Sequence, residues 1–144
     1  MYLLDTNVVS ELRKANTRKA DKNVVSWAQQ VSSSKLFISV ITILELETGI
    51  LQLERKDQNQ GEVLRKWLES HVLPAFEKRM LDFNTAIARQ CAKLHVPDPR
   101  SDRDAMIAAS ALVFDMTVVT RNTKDFERTG VSLLNPWEFQ NLKK

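Results

Sequence analysis

Met1-Tyr2-Leu3-Leu4-Asp5-Thr6-Asn7 opens the chain, and its reading decides the fold. An apolar and aromatic run leads directly into an acid, followed by two side chains able to cap a helix. This pattern predicts a buried first strand that delivers a carboxylate to its C-terminal end, then a helix N-terminus. Thr6 and Asn7 are expected as the caps, with a short helix over Val8 to Arg13. In open α/β sheets the ligand crevice lies outside the carboxyl ends of the strands, so Asp5 stands where chemistry is expected.

Working outward, the same strand-then-helix order recurs. Leu36 to Val40 is short and β-rich, predicting a second strand. Thr42 and Glu45 have capping-box spacing, which gives Glu45 a purely structural reading as well as a functional one. In the helix from Ile43 to about Lys56, Ile43, Leu46, Ile50, Leu51 and Leu53 fall on one arc. Glu47 lies within that arc and Glu45 opposite it, so periodicity nominates Glu47 as the buried acid. A further amphipathic helix is expected over Glu62 to Val72, ended by Pro74. Met80 to Phe83 reads as a third strand, and Asn84 as the cap of a helix from Thr85 to His95.

The turn from Pro97 to Asp104 is dense in acids and arginines and precedes Ala105 to Leu112, a run so rich in small and apolar residues that its helix should be buried on most sides. Asp102 or Asp104 can serve as its cap, but one cap does not need both acids. Met116 to Thr120 and Val131 to Leu134 complete the strands, the last closed by Asn135-Pro136-Trp137. Strands alternating with helices predict an α/β fold with three α/β/α layers and a central, mainly parallel sheet of about five strands.

The 144 residues suit a single domain spanning 1–144, with 43% hydrophobic and 27% charged residues. A net charge of +3 permits nucleic-acid binding without demanding it. The one cysteine, Cys91, excludes an internal disulfide and reads as a small core residue, because neither His71 nor His95 forms a recognisable nucleophile motif with it. No signal peptide or membrane span is evident, so a cytoplasmic location is expected. The basic segment around Arg13, Lys14, Arg18, Lys19 and Lys22 reads either as a solvated loop or as a basic flap beside the site.

Asp5, Asp104 and Asp125 fall at strand-to-helix junctions, and Glu45 near the start of the helix after the second strand. In a parallel sheet those junctions share one edge. Carboxylates gathered there repel unless they are dispersed on the surface or held by a cation. Hard oxygen donors without His or Cys point to Mg²⁺ or Mn²⁺, and such a metal beside a phosphodiester can position and acidify a water.

Four blocks carry a resemblance. They are Leu3-Leu4-Asp5-Thr6-Asn7, Ser39 to Leu46 with Gly49, Asp104 to Ala111, and Val119 to Phe126 leading to Asn135-Pro136-Trp137. In this order and spacing the chain resembles PIN-domain ribonucleases, in particular the VapC (FitB-like) toxins of bacterial type II toxin–antitoxin pairs. The resemblance implies Mg²⁺- or Mn²⁺-dependent endonucleolytic cleavage of RNA, with tRNA the family's habitual substrate. It assigns Asp5, Glu45 and Asp104 as the core acids and metal ligands, against the periodicity's choice of Glu47. For the fourth acid, some relatives have one where Asn122 stands, and others rely on the position of Asp125. The inference is that Asn122 bonds a ligand or a water of the metal and Asp125 adds charge.

Thr6, Asn7 and Thr120 match polar positions that line the family's pocket. Arg121, Arg103 and Arg100 are candidates for RNA backbone contacts. The resemblance also implies a homodimer, a cognate antitoxin lying over the acidic site, and a higher assembly on operator DNA, with Trp27, Trp67 or exposed parts of the helices from 43 to 73 as candidate surfaces. Two rivals stand beside this reading. An aspartyl-phosphate domain would want a second acid next to Asp5 and a strand-end lysine. An inactive or non-toxin PIN-fold RNA-binding or processing protein would keep the fold without the cleavage.

Overall fold

The structure, a computed structural model, describes residues 1–140; residues 141–144 of the expected 1–144 span lie outside the described residues. The strands are β1 (Tyr2–Leu4), β2 (Leu36–Ser39), β3 (Met80–Leu81), β4 (Thr117–Val119) and β5 (Leu133–Leu134). They pair in parallel in the order β3-β2-β1-β4-β5. The helices are α1 (Thr6–Leu12), α2 (Lys22–Gln30), α3 (Val40–Lys56), α4 (Gln58–Trp67), the single turn α5 (Leu73–Ala75), α6 (Thr85–Leu94) and α7 (Asp102–Phe114).

Side-chain alternation along the strands builds the layers. Leu4, Ile38 and Val119 point to one face and pack with Val8, Trp27, Leu46, Leu68 and Val72. Leu3 and Val118 point to the other, against Ile107, Ala108 and Ala111 of α7. The alanines of α7 let it lie close to the sheet, and its opposite side receives Ile87 and Cys91 of α6. The predicted burial of this helix follows from that double contact. The α/β architecture with a five-stranded parallel sheet between helical layers agrees with the sequence reading.

Several local expectations are corrected. Asp5 itself, not Thr6 or Asn7, is the N-cap of α1, accepting from the Thr6 amide at 2.8 Å. Ser39 caps α3 by accepting from the Ile41 amide, so the helix starts before Thr42, which is buried in its first turns. There is therefore no Thr42–Glu45 capping box, and Glu45 is free for other contacts. Pro74 does not stop its helix: α4 passes through a wide π-type turn at Leu68–Val72 and ends one turn later. A widened turn leaves carbonyls without their usual donor, which is where a proline's missing N–H is tolerated. Trp27, a candidate interface residue, is 3% exposed and meets the Tyr2 ring edge-on at 5.4 Å, so it belongs to the core.

The strand order places a topological switch between β1 and β4, because the crossover after β1 runs to β2 on one side and the crossover after β4 runs to β5 on the other. The crevice rule puts a ligand at the carboxyl ends of these two strands. Leu4 pairs with Val119, which sets Asp5 and Thr120 side by side at that point.

Candidate active site

Asp5 is 7% exposed and is held on both carboxylate oxygens. Oδ1 accepts from the Thr6 amide at 2.8 Å; Oδ2 accepts from Thr120 Oγ1 at 2.8 Å and, at a longer 3.4 Å, from Asn7 Nδ2. Asn7 Nδ2 also lies 3.3 Å from Thr120 Oγ1, and that hydroxyl accepts from the Asn122 amide at 3.0 Å. Thr120 is fully buried, so this hydroxyl is a fixed relay between the turn after β4 and the carboxylate at the end of β1.

From the other side of Asp5, Thr6 Oγ1 donates to Glu45 Oε1 at 2.7 Å, with Thr42 Oγ1 3.2 Å from the same hydroxyl. Glu45 is thus turned toward β1 and into the crevice. Glu47 is elsewhere. Both its oxygens accept from Arg65 Nη1 of α4, at 2.7 and 2.6 Å, and the same guanidinium reaches Glu54 at 3.2 Å. Periodicity had placed Glu47 in the apolar arc because that arc is covered by α4, and α4 brings its own cation. Glu47 pairs two helices instead of lining the crevice.

Asp104 lies in the first turn of α7 and is half-buried. Its carboxyl is pushed up to about 6, first by burial and then by the charges of Asp5, Asp125 and Glu45. The Asp5 carboxyl is raised too. Burial is the main cause, the bonds from Thr120 and Thr6 oppose it, and Glu45 and Asp125 add repulsion. The acids named from the sequence therefore share one electrostatic field. Asp125 is exposed in the turn Thr123–Phe126, and Asn122 precedes it.

The arginines separate. Arg103 Nη1 is 3.8 Å from Glu45 Oε2; among the described residues it is the basic side chain within 4 Å of a site acid. Arg121 follows Thr120 and is exposed at the crevice mouth, its guanidinium 5.2 Å from the centroid of the Trp137 ring. Arg100 is committed elsewhere, donating to the carbonyls of Leu94 and Glu127 at 3.2 and 2.8 Å. It braces the loop before α7, which removes it from the candidates for backbone contact. In the basic segment, Lys14 pairs with Glu11 at 3.0 Å and Arg13 lies over Trp67 at 6.0 Å.

The sequence reading did not find the partnership of Cys91 with His95, whose Nε2 lies 4.0 Å from Sγ; their separation by one helical turn was the available signal. It also missed the role of Thr42, read as a cap and found fully buried beneath Thr6, whose hydroxyl it meets at 3.2 Å.

Whether this donor set suits a hard divalent cation can be judged from its chemistry. The donors are carboxylate, hydroxyl and amide oxygens. Asp5 and Asp104 both carry raised proton affinities, from burial first and then from neighbouring carboxylates, and a cation among these acids would relieve the repulsive part. Among the described residues no three His, Cys, Asp or Glu side chains close into a ready-made cage. The acids approach from separate elements and share the crevice without touching. The set fits a site that is completed by waters and substrate oxygens, the usual habit of Mg²⁺.

A family model described as "PIN domain" matches residues 2–131. The chain is 36% identical over 144 residues to Toxin FitB of Neisseria gonorrhoeae, covering 95% of this chain and 99% of that protein. It is 37% identical over 146 residues to the plasmid stability protein StbB of Pseudomonas syringae pv. tomato, covering 96% and 99%. Identity to the VapC ribonuclease Y4jK of Sinorhizobium fredii is 35% over 143 residues, covering 96% and 99%. Among solved structures, FitAcB of N. gonorrhoeae superposes with a TM-score of 0.86 at 32% identity, covering 96% of this chain and all (100%) of that one. On this evidence the chain belongs to the PIN-domain family, among relatives of the VapC and FitB type.

Proposed function

We propose that the protein is a Mg²⁺- or Mn²⁺-dependent endoribonuclease and the toxin of a type II toxin–antitoxin pair. One observation carries the reading. Acids from the ends of β1 and β4 and from α3 and α7 share the crevice at the sheet's topological switch, and the most buried of them, Asp5, accepts hydrogen bonds from Thr6 and Thr120. Relatives named as a ribonuclease and a toxin support the class of activity.

Asp5, Asp104 and Glu45 would hold the cation, with Asp125 adding charge and Asn122 offering its amide. When bound, a divalent cation supplies a more acidic water and charge compensation at phosphorus. The protein's own groups do the rest. Thr120 and Thr6 fix the carboxylate of Asp5, so its geometry is set before substrate arrives. Thr6 also orients Glu45, the group placed to accept a proton from the attacking water. Arg103, already beside Glu45, is positioned to meet a phosphate oxygen.

Two partner assignments accompany the activity. FitAB has been solved bound to an IR36 DNA fragment, which supports an antitoxin partner and a joint assembly on operator DNA. Leu44, Leu51 and Val63 on α3 and α4 are 49%, 55% and 62% exposed, and this apolar surface is the one we assign to a homodimer. The test is cleavage of a structured RNA, tRNA first, by purified protein with Mn²⁺. Wild type should cut, and Asp5→Ala and Asp104→Ala should not, while keeping the wild-type circular dichroism spectrum. Equal cutting by both variants would overturn the assignment.

A further inference from the structure

We infer that Arg121, seated over Trp137, is a stacking platform for an unpaired nucleobase next to the cleaved phosphate, not a phosphate contact. The inference rests on the nuclease reading and adds the substrate feature recognised: a base splayed out of a single-stranded segment.

Arg121 is tied to the acid site by a continuous chain of hydrogen bonds. Asn7, whose Nδ2 reaches Asp5, uses its Oδ1 to accept from the Arg121 amide at 3.3 Å. The Arg121 carbonyl accepts from Asn135 Nδ2 at 3.4 Å, and Asn135 Oδ1 accepts from the Trp137 amide at 2.9 Å. The far side is pinned by Asn23 Nδ2, which donates to the Trp137 carbonyl at 2.7 Å. The tryptophan is thus fixed relative to Asp5 through backbone groups, and its ring packs partly against the core. The Arg121 guanidinium lies over this ring, 5.2 Å from its centroid.

The guanidinium is thus seated over an indole on an exposed residue next to the acid site, where an incoming base can reach it. Arg planes and aromatic rings are the surfaces on which unpaired RNA bases stack. A phosphate contact is indifferent to whether a base is present, whereas a platform needs both the base and the flat guanidinium. The residue follows Thr120 directly, so the platform lies one peptide from the hydroxyl that binds Asp5.

Arg121→Lys keeps the charge and removes the flat guanidinium, and combining it with abasic substrates separates a base contact from a phosphate contact. Binding is measured by fluorescence anisotropy on single-stranded RNA oligonucleotides in the Asp104→Asn background, with an abasic nucleotide placed in turn at each position flanking the cleaved bond. Stacking of a base on an aromatic side chain sets the scale of the expected effect. Arg121→Lys should therefore weaken binding to the intact oligonucleotide by about 5- to 150-fold, with its salt dependence unchanged. One abasic position should weaken the wild-type platform equally and abolish the difference between Arg121 and Lys. Equal binding by Arg121→Lys and its parent, or a difference that survives every abasic position, overturns the platform. Cleavage by the unmutated protein is scored separately. If it cuts RNA while the abasic series shows no effect, only the platform falls. Base-dependent binding without cutting removes only the nuclease reading. Failure to bind or cut RNA removes both.

Discussion

Replacing Asp104 by asparagine should make the protein more stable while ending its chemistry. The folded Asp104 carboxyl is pushed from its ordinary 3.8 to about 6 by burial and by the charges of Asp5, Asp125 and Glu45. Each tenfold change in proton affinity is about 1.4 kcal/mol, so the ionised carboxyl carries a ceiling of about 3 kcal/mol of strain near neutral pH. Asp104 is only half-buried, and solvent screening reduces this to about 1–1.5 kcal/mol. The folded state binds this proton more tightly than the unfolded state. Stability from this group is therefore full below 3.8 and is lost as pH rises through about 6. Asparagine has no such loss. Thermal melts in EDTA should show the variant matching wild type near the acid end of this window and exceeding it by about 3–5 °C above it. A variant that melts at or below wild type at neutral pH, or a gap that does not change with pH, would refute the electrostatic account of the site.

Other substitutions probe separate links. Glu45→Gln should abolish RNA cleavage, whereas Glu47→Gln should leave it and only slightly lower the urea midpoint by releasing Arg65. Thr120→Val removes the 2.8 Å donor to Asp5 and the acceptor of the Asn122 amide. It should cost about 1–3 kcal/mol and, by raising the Asp5 proton affinity further, shift the acid limb of the pH–rate profile to higher pH. At Gly61, an added Cβ would lie 2.5 Å from Glu54 Cγ and 2.7 Å from its Cα. Gly61→Ala should therefore force α3 and α4 apart at a cost of about 1–3 kcal/mol, seen as a lower midpoint in chemical denaturation.

The sequence was most readable where one segment carries its own reason. Tyr2-Leu3-Leu4 before Asp5 needs only a hydrophobic run and a following polar turn, and Asn84 caps its helix by local chemistry, accepting from the Ile87 amide at 2.9 Å. Readings that depended on distant partners did less well. The choice between Glu45 and Glu47 could not be made from the α3 pattern, because Arg65 from a later helix decides it. Thr42 has a capping residue's identity, yet Ser39 starts the helix one turn earlier. Trp27 was a plausible surface residue until Tyr2 and the sheet covered it. The link from Asp5 through Asn7 and Asn135 to Trp137 joins residues more than a hundred positions apart, and no local spacing encodes it.

The central claim is that these acids act together by holding a divalent cation, and Mn²⁺ binding tests it most directly. Calorimetric titration of Mn²⁺ into the EDTA-stripped protein, with RNA cleavage followed over the same concentrations, should give saturable binding that cleavage tracks. Both should be lost in Asp5→Asn. Cleavage that persists in excess EDTA, or Mn²⁺ binding that is unchanged in Asp5→Asn, would contradict the account.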